Sequence, residues 1–293
     1  MRSLLFGLML SFFPLVLQAD DMTIVNNGRY GPTPLSLAQG QESKIRMASE
    51  TLRFDVGKTS TTVRAKFIFE NTDKNNPIRQ RTGFPDQFLA SNKVPKSLTQ
   101  KQESMLEEGF DYTPDIETYG FSGRMSNMRT MVNGKFIKSD IEYGFVKPTK
   151  PGYWEPGTPA DLPMAWHVVD ISIPAGGQLV LERKYSVQNS PYVGGLGANV
   201  FDYIVHSGAS WFGPIGELNA IVFLKDGLTT QDLLWPGDVD PYTWTCLPEK
   251  SEWKIIDNTH LDLSWRNFDP EKLKGRQIIR IATKWDLPNL SEQ

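Results

Sequence analysis

The sequence predicts an all-β protein, an antiparallel β-sandwich, and three observations predict it. The dominant apolar period is two. Across Thr61 to Asn71, Val63, Ala65, Phe67 and Phe69 share one face while Thr62, Arg64, Lys66 and Glu70 take the other. Segments of this kind recur along the chain between Gly, Pro, Asn and Asp turn signals, the pattern of a sandwich whose sheets keep one wet face. The chain also holds 24 Gly, 20 Pro and 11% aromatic residues, the composition of a turn-rich globular protein. One large sandwich and two stacked units both fit this pattern.

In chain order, the first element is a leader. Arg2 precedes an apolar run from Leu4 to Leu17, and Leu17-Gln18-Ala19 offers a signal-peptidase site before Asp20 and Asp21. The rival reading, a membrane anchor, needs a longer run and tolerates Pro14 poorly. The expected organisation is a signal peptide at 1–19, an N-terminal extension at 20–43 and the sandwich at 44–290, with a sub-boundary in the Pro-rich loop 147–163. The mature chain is expected to be secreted or periplasmic, with no membrane span after cleavage. Cys246 is the single cysteine, so no internal disulfide can form; a chain of this length can build its core without one.

The strands follow. "ETLRFDV" and "TTVRAKFIFEN" flank "GKTS" and read as a hairpin. A second hairpin is marked by Asn133-Gly134, the dipeptide that supplies the two positive φ angles of a type I′ turn. A third is expected where Val168, Ile171 and Ile173 lead into Pro174-Ala175-Gly176-Gly177, and Leu179, Leu181 and Tyr185 lead out. "WKIIDNTHLDLSWRNF" reads as two strands about Asp257-Asn258, and "RQIIRIATKWDL" as a closing strand. One segment departs from period two. "SLTQKQESMLEEGF" is rich in helix formers, with Thr99 and Gln102 placed as a capping box and Gly109 as a stop, so a short helix is expected near 97–109.

The net charge is −3, from 31 Lys and Arg against 34 Asp and Glu, which gives no overall footprint for nucleic acid or an anionic membrane. Catalytic constellations are missing. His167 and His260 sit inside strand patterns, there is no Gly-x-Ser-x-Gly elbow, and His206 and Ser207 are neighbours whose side chains point to opposite faces of a strand. No H-E-x-x-H or cysteine cluster marks a metal site, and Asp238 with Asp240 supplies too few oxygens for calcium. Glu249 and Glu252 read as a solvated face, and "VGGLGAN" lacks the strand and helix that a phosphate loop needs. No cofactor and no catalytic residue is expected.

The candidates that remain are for binding. Eight tryptophans are present, and exposed aromatic rings stack on sugars or anchor proteins. Trp154, beside Tyr153 in the loop "PGYWEPG", is the best exposed one. The second group lies in "FDYIVHSGASWFGPIGELNAIVFLKDG": Asp202, His206, Trp211 and Phe212. The same stretch also reads as a corner, with Trp211 capping the core, Gly213-Pro214 turning, and Ile215, Leu218, Ile221 and Phe223 starting the next buried strand.

The spacing Tyr203, Gly208, Trp211, Gly213, Pro214, Ile215, Gly216 resembles the bacterial domain of unknown function 4424 family, as do "IRMASETLRFDVGKTSTTVRAKFIFENTDKNNPIRQRTGFPD" and "SWRNFDPEKL". The resemblance runs from about Ile45 to Trp285 and implies a secreted bacterial protein without an assigned activity; "DQFLASNKVPKSLTQKQESMLEEGFDYTPDIETYG" departs from it and reads as an insertion. A fainter architectural likeness is to the vault/inter-alpha-trypsin domain, carried by Asn71, Phe84-Pro85, Asn133-Gly134, Ile173-Pro174-Ala175-Gly176 and Tyr185 in that order. The expectation is an exported, non-enzymatic protein of the bacterial envelope that binds another macromolecule, an envelope protein or a glycan. The alternative is a carbohydrate-binding or carbohydrate-processing protein that uses exposed tryptophans.

Overall fold

The computed structural model describes residues 33–35, 44–87, 125–146, 162–192, 198–205, 211–235, 248–269 and 278–284. Within these the regular structure is almost entirely strand: β1 (Thr33–Leu35), β2 (Ile45–Val56), β3 (Ser60–Asn71), β4 (Ile78–Gln87), β5 (Ser126–Val132), β6 (Lys135–Ile137), β7 (Asp140–Val146), β8 (Leu162–Ile173), β9 (Gln178–Gln188), β10 (Ser190–Tyr192), β11 (Ala198–Ile204), β12 (Ile215–Leu224), β13 (Leu233–Leu234), β14 (Lys254–Ile255), β15 (His260–Phe268) and β16 (Ile278–Lys284). A 3-10 turn at Lys250–Glu252 is the one helical piece among the described residues. The helix expected near 97–109 and the loop 147–163 lie outside them.

An eight-stranded sheet, β14-β15-β12-β2-β3-β9-β5-β6, forms the base of the molecule. Two four-stranded sheets, β1-β4-β8-β7 and β10-β11-β16-β13, contribute to one core cluster on its inner face. Period two explains this packing directly. In β3 the residues Val63, Ala65, Phe67 and Phe69 are buried and their neighbours face outward. Phe54 of β2 meets Phe201 of β11 at 5.0 Å between ring centroids, and Tyr185 of β9 meets Phe84 of β4 at 5.4 Å. Both small sheets are therefore sealed by aromatic pairs against the same large one.

The "GKTS" hairpin joins β2 and β3 with Gly57 N–H donating to the Ser60 carbonyl. Asn133 and Gly134 adopt φ of 48° and 74°, as the I′ turn between β5 and β6 requires. The turn at Asp257-Asn258 joins β14 to β15. The third expected hairpin is corrected. β8 and β9 do not pair with each other; β8 pairs with β4 and β7, and β9 pairs with β3 and β5. The Pro174–Gly177 turn instead carries the chain from one layer to the other, beside the β3-to-β4 crossing. Asn71, at the end of β3, holds both crossings. Its Nδ2 donates to the carbonyls of Asn76 and Pro174 at 2.8 and 3.0 Å, and its Oδ1 accepts the Asp73 N–H.

Two further departures matter for the site. The pairing of β2 with β12 is parallel, where the other described strand pairs are antiparallel. In β12 the inward residues are Leu218, Ala220, Val222 and Leu224, so the expected inward pair Ile221 and Phe223 lies on the outer face; this strand is apolar on both sides, and period two alone could not fix its phase. Finally, β2 bulges between Met47 and Ser49. Ile45 and Met47 point inward before the bulge, and Glu50, Leu52, Phe54 and Val56 point inward after it.

Candidate functional site

Of the sequence candidates, Asp202 lies on β11, and Trp211 and Phe212 lie at the corner that leads into β12. β11 is covered on both faces. Phe201 and Tyr203 enter the shared core, while Ala198 and Val200 belong to a second small cluster with Leu234 and Ala282. Asp202, between Phe201 and Tyr203, faces away from the shared core. Its carboxylate takes both arms of Arg280 from β16, Nε at 2.7 Å and Nη2 at 2.9 Å, with side-chain exposures of 0% and 5%. A two-pronged, charge-assisted pair of this kind is a structural tie between β11 and β16.

Tyr203 points the other way, and its hydroxyl donates to Glu50 Oε1 at 2.7 Å. Both groups are fully buried. The β2 bulge is what delivers Glu50: without the extra residue, strand parity would turn its side chain to the outer face. Burial pushes the Glu50 carboxyl up to about 7, against which the Tyr203 hydrogen bond acts in the opposite direction. Burial and the neighbouring carboxylate together raise Tyr203 well above the ordinary phenol range.

The corner itself is tightly built. Trp211 is buried and packs on Phe69 at 4.5 Å between centroids. Phe212 is 44% exposed, and its N–H donates to the Ile45 carbonyl at 2.9 Å. Gly216 lies against the bulge; a Cβ there would sit 2.3 Å from the Ala48 carbonyl oxygen. Close approach of backbone to backbone explains the glycine. Trp211 and Phe212 are thus held at the Ile45/Phe69 end of the eight-stranded sheet, Trp211 in the core and Phe212 at the surface, while Asp202 stands apart from them on the reverse side of β11 with Arg280. Tyr153, Trp154 and His206 lie outside the described residues, as do Cys246, Asp238 and Asp240.

Sequence reasoning missed Arg183. It occupies an inward position of β9 between Leu181 and Tyr185 and is buried. Its Nη1 donates to the hydroxyls of Thr130 and Ser139, its Nη2 donates to the His167 carbonyl on β8 at 3.1 Å, and its guanidinium stands 5.7 Å from the centre of the Phe84 ring. Nε has no partner, and no carboxylate among the described residues faces it. Burial lowers its pKa to about 9, with Tyr185 acting the other way. The signal was available, because Arg183 shares parity with Leu179, Leu181 and Tyr185. Glu50 shares parity with Leu52 and Phe54 in the same way.

Other candidates resolve into local contacts. His260 meets Asp262 Oδ1 through Nε2 at 2.8 Å and stacks on Phe223, on the outer face. Glu252 accepts from the Glu249 N–H and from Trp265 Nε1. Trp253 is buried, and Trp235 and Trp265 are half-buried. Among the described residues no group of three or more His, Cys, Asp or Glu could hold a metal ion, and no helix is long and apolar enough to cross a membrane.

Comparisons with known proteins locate the fold. No protein-family model and no curated protein matches the chain. Among solved structures, a Legionella pneumophila protein, whose nutrient-binding role is itself only proposed, superposes with a TM-score of 0.59 at 15% identity, over 86% of this chain and 69% of that one. At that identity the likeness shows a shared all-β architecture. An M1 zinc metallopeptidase of Deinococcus radiodurans aligns over 76% of this chain and 39% of its own, at 8% identity and a TM-score of 0.28, too low to carry an argument.

Proposed function

We propose that this chain is an exported, non-catalytic β-sandwich protein of a bacterial envelope that binds another macromolecule. The observation that carries the reading is a contrast between the two faces of the eight-stranded sheet. On the inner face the ionisable groups are enclosed: Glu50 is taken by Tyr203, and Arg183 by two hydroxyls and a carbonyl. None of these opens onto solvent as a reacting group would need to. On the outer face polar and charged side chains stand exposed on several strands of the sheet, a surface broad enough to dock a large partner. The fold shared with a protein proposed to bind nutrients supports a binding role in the same general sense. The leader-like start of the chain and the resemblance to a secreted bacterial family support the compartment.

The test is photo-crosslinking in cells, with the crosslinker placed at Phe212, which is exposed at the corner, and at Lys184, which is exposed on the outer face. A discrete adduct with one envelope component is the expected result. An exported, folded variant that gives no adduct from either position, together with no binding to acidic or neutral glycans in solution, would sink the proposal.

A further inference from the structure

The outer face of the eight-stranded sheet carries an unusual line of charge. Arg53 of β2 lies directly opposite Arg64 of β3, Arg64 opposite Lys184 of β9, and Lys184 opposite Arg129 of β5. All four side chains are on the outer side, and Arg64, Lys184 and Arg129 are exposed. Adjacent strands lie about 4.8 Å apart, so the line runs about 14 Å straight across the strands. Directly opposed like charges destabilise a sheet, and here three such pairs follow one another. The acids nearby offset only part of it. Asp55 is shared by Arg53 and Arg64 at 2.9 and 3.8 Å, and Glu182 lies opposite Lys66 in the next row. Lys184 and Arg129 have no acidic partner among the described residues. The whole chain is net negative, so this is a local concentration of positive charge and not a general property.

The surroundings of the line are specific. The row on one side is hydroxyl-bearing, with Thr62 and Ser186 in mutual contact at 3.0 Å. At the β6 end Phe136 stands 67% exposed, and at the β12 end Phe223 is half-buried under Arg53, whose guanidinium carbon is 4.3 Å from the ring centroid. We infer that this face is a docking surface for an extended acidic polysaccharide, laid across the strands with its carboxylates on the Arg53–Arg64–Lys184–Arg129 line. The inference rests on the macromolecule-binding reading above and names its face and partner class. The cations without an acid directly opposite them lie in one row, while Lys66 of the next row faces Glu182, and a single such row suits a linear polyanion more than the plane of a membrane. The strand spacing is close to the length of one sugar residue, so successive cations can meet successive acidic sugars. The hydroxyl row can bond sugar hydroxyls, and Phe136 offers an apolar ring to the face of a sugar.

The experiment measures binding of oligogalacturonate to the mature chain by fluorescence anisotropy at low salt, with neutral malto-oligosaccharide as the comparison probe. Oligogalacturonate is expected to bind, the neutral probe to bind more weakly, and added salt to weaken the acidic one selectively. The Arg129→Gln/Lys184→Gln variant should lose affinity about tenfold. Its Tm should stay level or rise, because like-charge repulsion has been removed. A Lys44→Gln/Lys74→Gln variant, with the same charge change at the far end of the sheet, should bind as the parent does. Equal loss in the two variants, or undiminished binding in Arg129→Gln/Lys184→Gln, would overturn the assigned face. Binding of poly-glutamate or phosphatidylglycerol vesicles in preference to oligogalacturonate would overturn the polysaccharide while leaving a macromolecular partner in place. Failure of all these probes, with no adduct from crosslinking at Phe212 or Lys184, would remove the binding reading as well.

Discussion

Two small sheets rest on one large sheet, and they are pinned to it by ionisable groups of opposite sign. At the β11 junction the large sheet sends an acid, Glu50, to Tyr203. At the β8 junction it sends a base, Arg183, to the His167 carbonyl. Both are buried, and both have pKa values moved toward neutrality by burial. The consequences differ. An arginine at about 9 still holds its charge at neutral pH, so its hydrogen bonds keep one form. A carboxyl at about 7 changes form within the ordinary pH range. The β8 junction is thus indifferent to mild pH change, and the β11 junction is sensitive to it.

The largest expected effect falls on the indifferent junction. Arg183→Ala leaves a cavity beside Phe84 and strips the His167 carbonyl of its donor, at about 3 to 4 kcal/mol. Equilibrium denaturation would measure it. Arg183→Met, which keeps most of the volume and removes the buried charge, should cost about 1 to 2 kcal/mol. If Met and Ala prove equally damaging, the guanidinium bonds and not its packing hold this junction.

The next effect separates the junctions by pH. Glu50 titrates near 7 when folded and near 4.5 when unfolded. Between those values the folded chain keeps a proton that the unfolded chain has lost, so stability falls as pH rises, by about 3 kcal/mol across the window. Glu50→Gln should flatten that slope and make the protein more stable than the parent at pH 8. The half-buried Asp73 and Asp232 and the exposed Asp257, held below their usual range first of all by backbone N–H groups, act in the opposite sense at lower pH, where stability is lost as they protonate. An unchanged slope in Glu50→Gln would mean that Glu50 is already ionised when folded.

Much of this architecture can be read from the sequence, and the parts that cannot have physical reasons. Val63 to Phe69 and Asn133-Gly134 declare a strand and a turn because local backbone preferences and period two fix them. Pro174–Gly177 declares a turn equally well, but a turn signal does not say whether the strands it joins pair with each other. Glu50 is in phase with Leu52 and Phe54 but out of phase with Ile45 and Met47, because the Met47/Ser49 bulge reverses the parity of β2, and nothing local announces a bulge. Arg183 is legible as an inward position, but a buried arginine runs against the usual composition of cores. Of the binding candidates, Trp211 shows the limit most plainly: a tryptophan in a Gly-Pro-rich turn looks the same in sequence whether it faces solvent or, as here, Phe69.

A smaller effect tests how the bulge supports the acid. Gly216→Ala would place a methyl carbon 2.3 Å from the Ala48 carbonyl oxygen, which must then move. The expected loss is about 2 kcal/mol. Because the bulge also aims Glu50, the same variant should show a shallower pH slope, while the contacts of Arg183 stay as they are. A Gly216→Ala protein with full stability loss but an unaltered slope would separate the bulge from the junction.

The smallest effect is the most discriminating. Tyr203→Phe removes one hydroxyl and leaves the ring against Phe54. At pH 5 the Glu50 carboxyl is protonated, and the lost bond is between neutral groups, worth about 1 kcal/mol. At pH 8 the same bond is made to a buried carboxylate, and its loss should approach about 2 kcal/mol. The penalty should therefore grow as pH rises through 7, measured as the difference in denaturation free energy between variant and parent. The parallel substitution at the other junction, Thr130→Val, removes a hydroxyl bonded to Arg183 and should cost the same at both pH values, since the guanidinium keeps its charge throughout. If the Tyr203→Phe penalty is also flat with pH, the two junctions are alike in kind, and the acid at β11 is no more responsive than the base at β8.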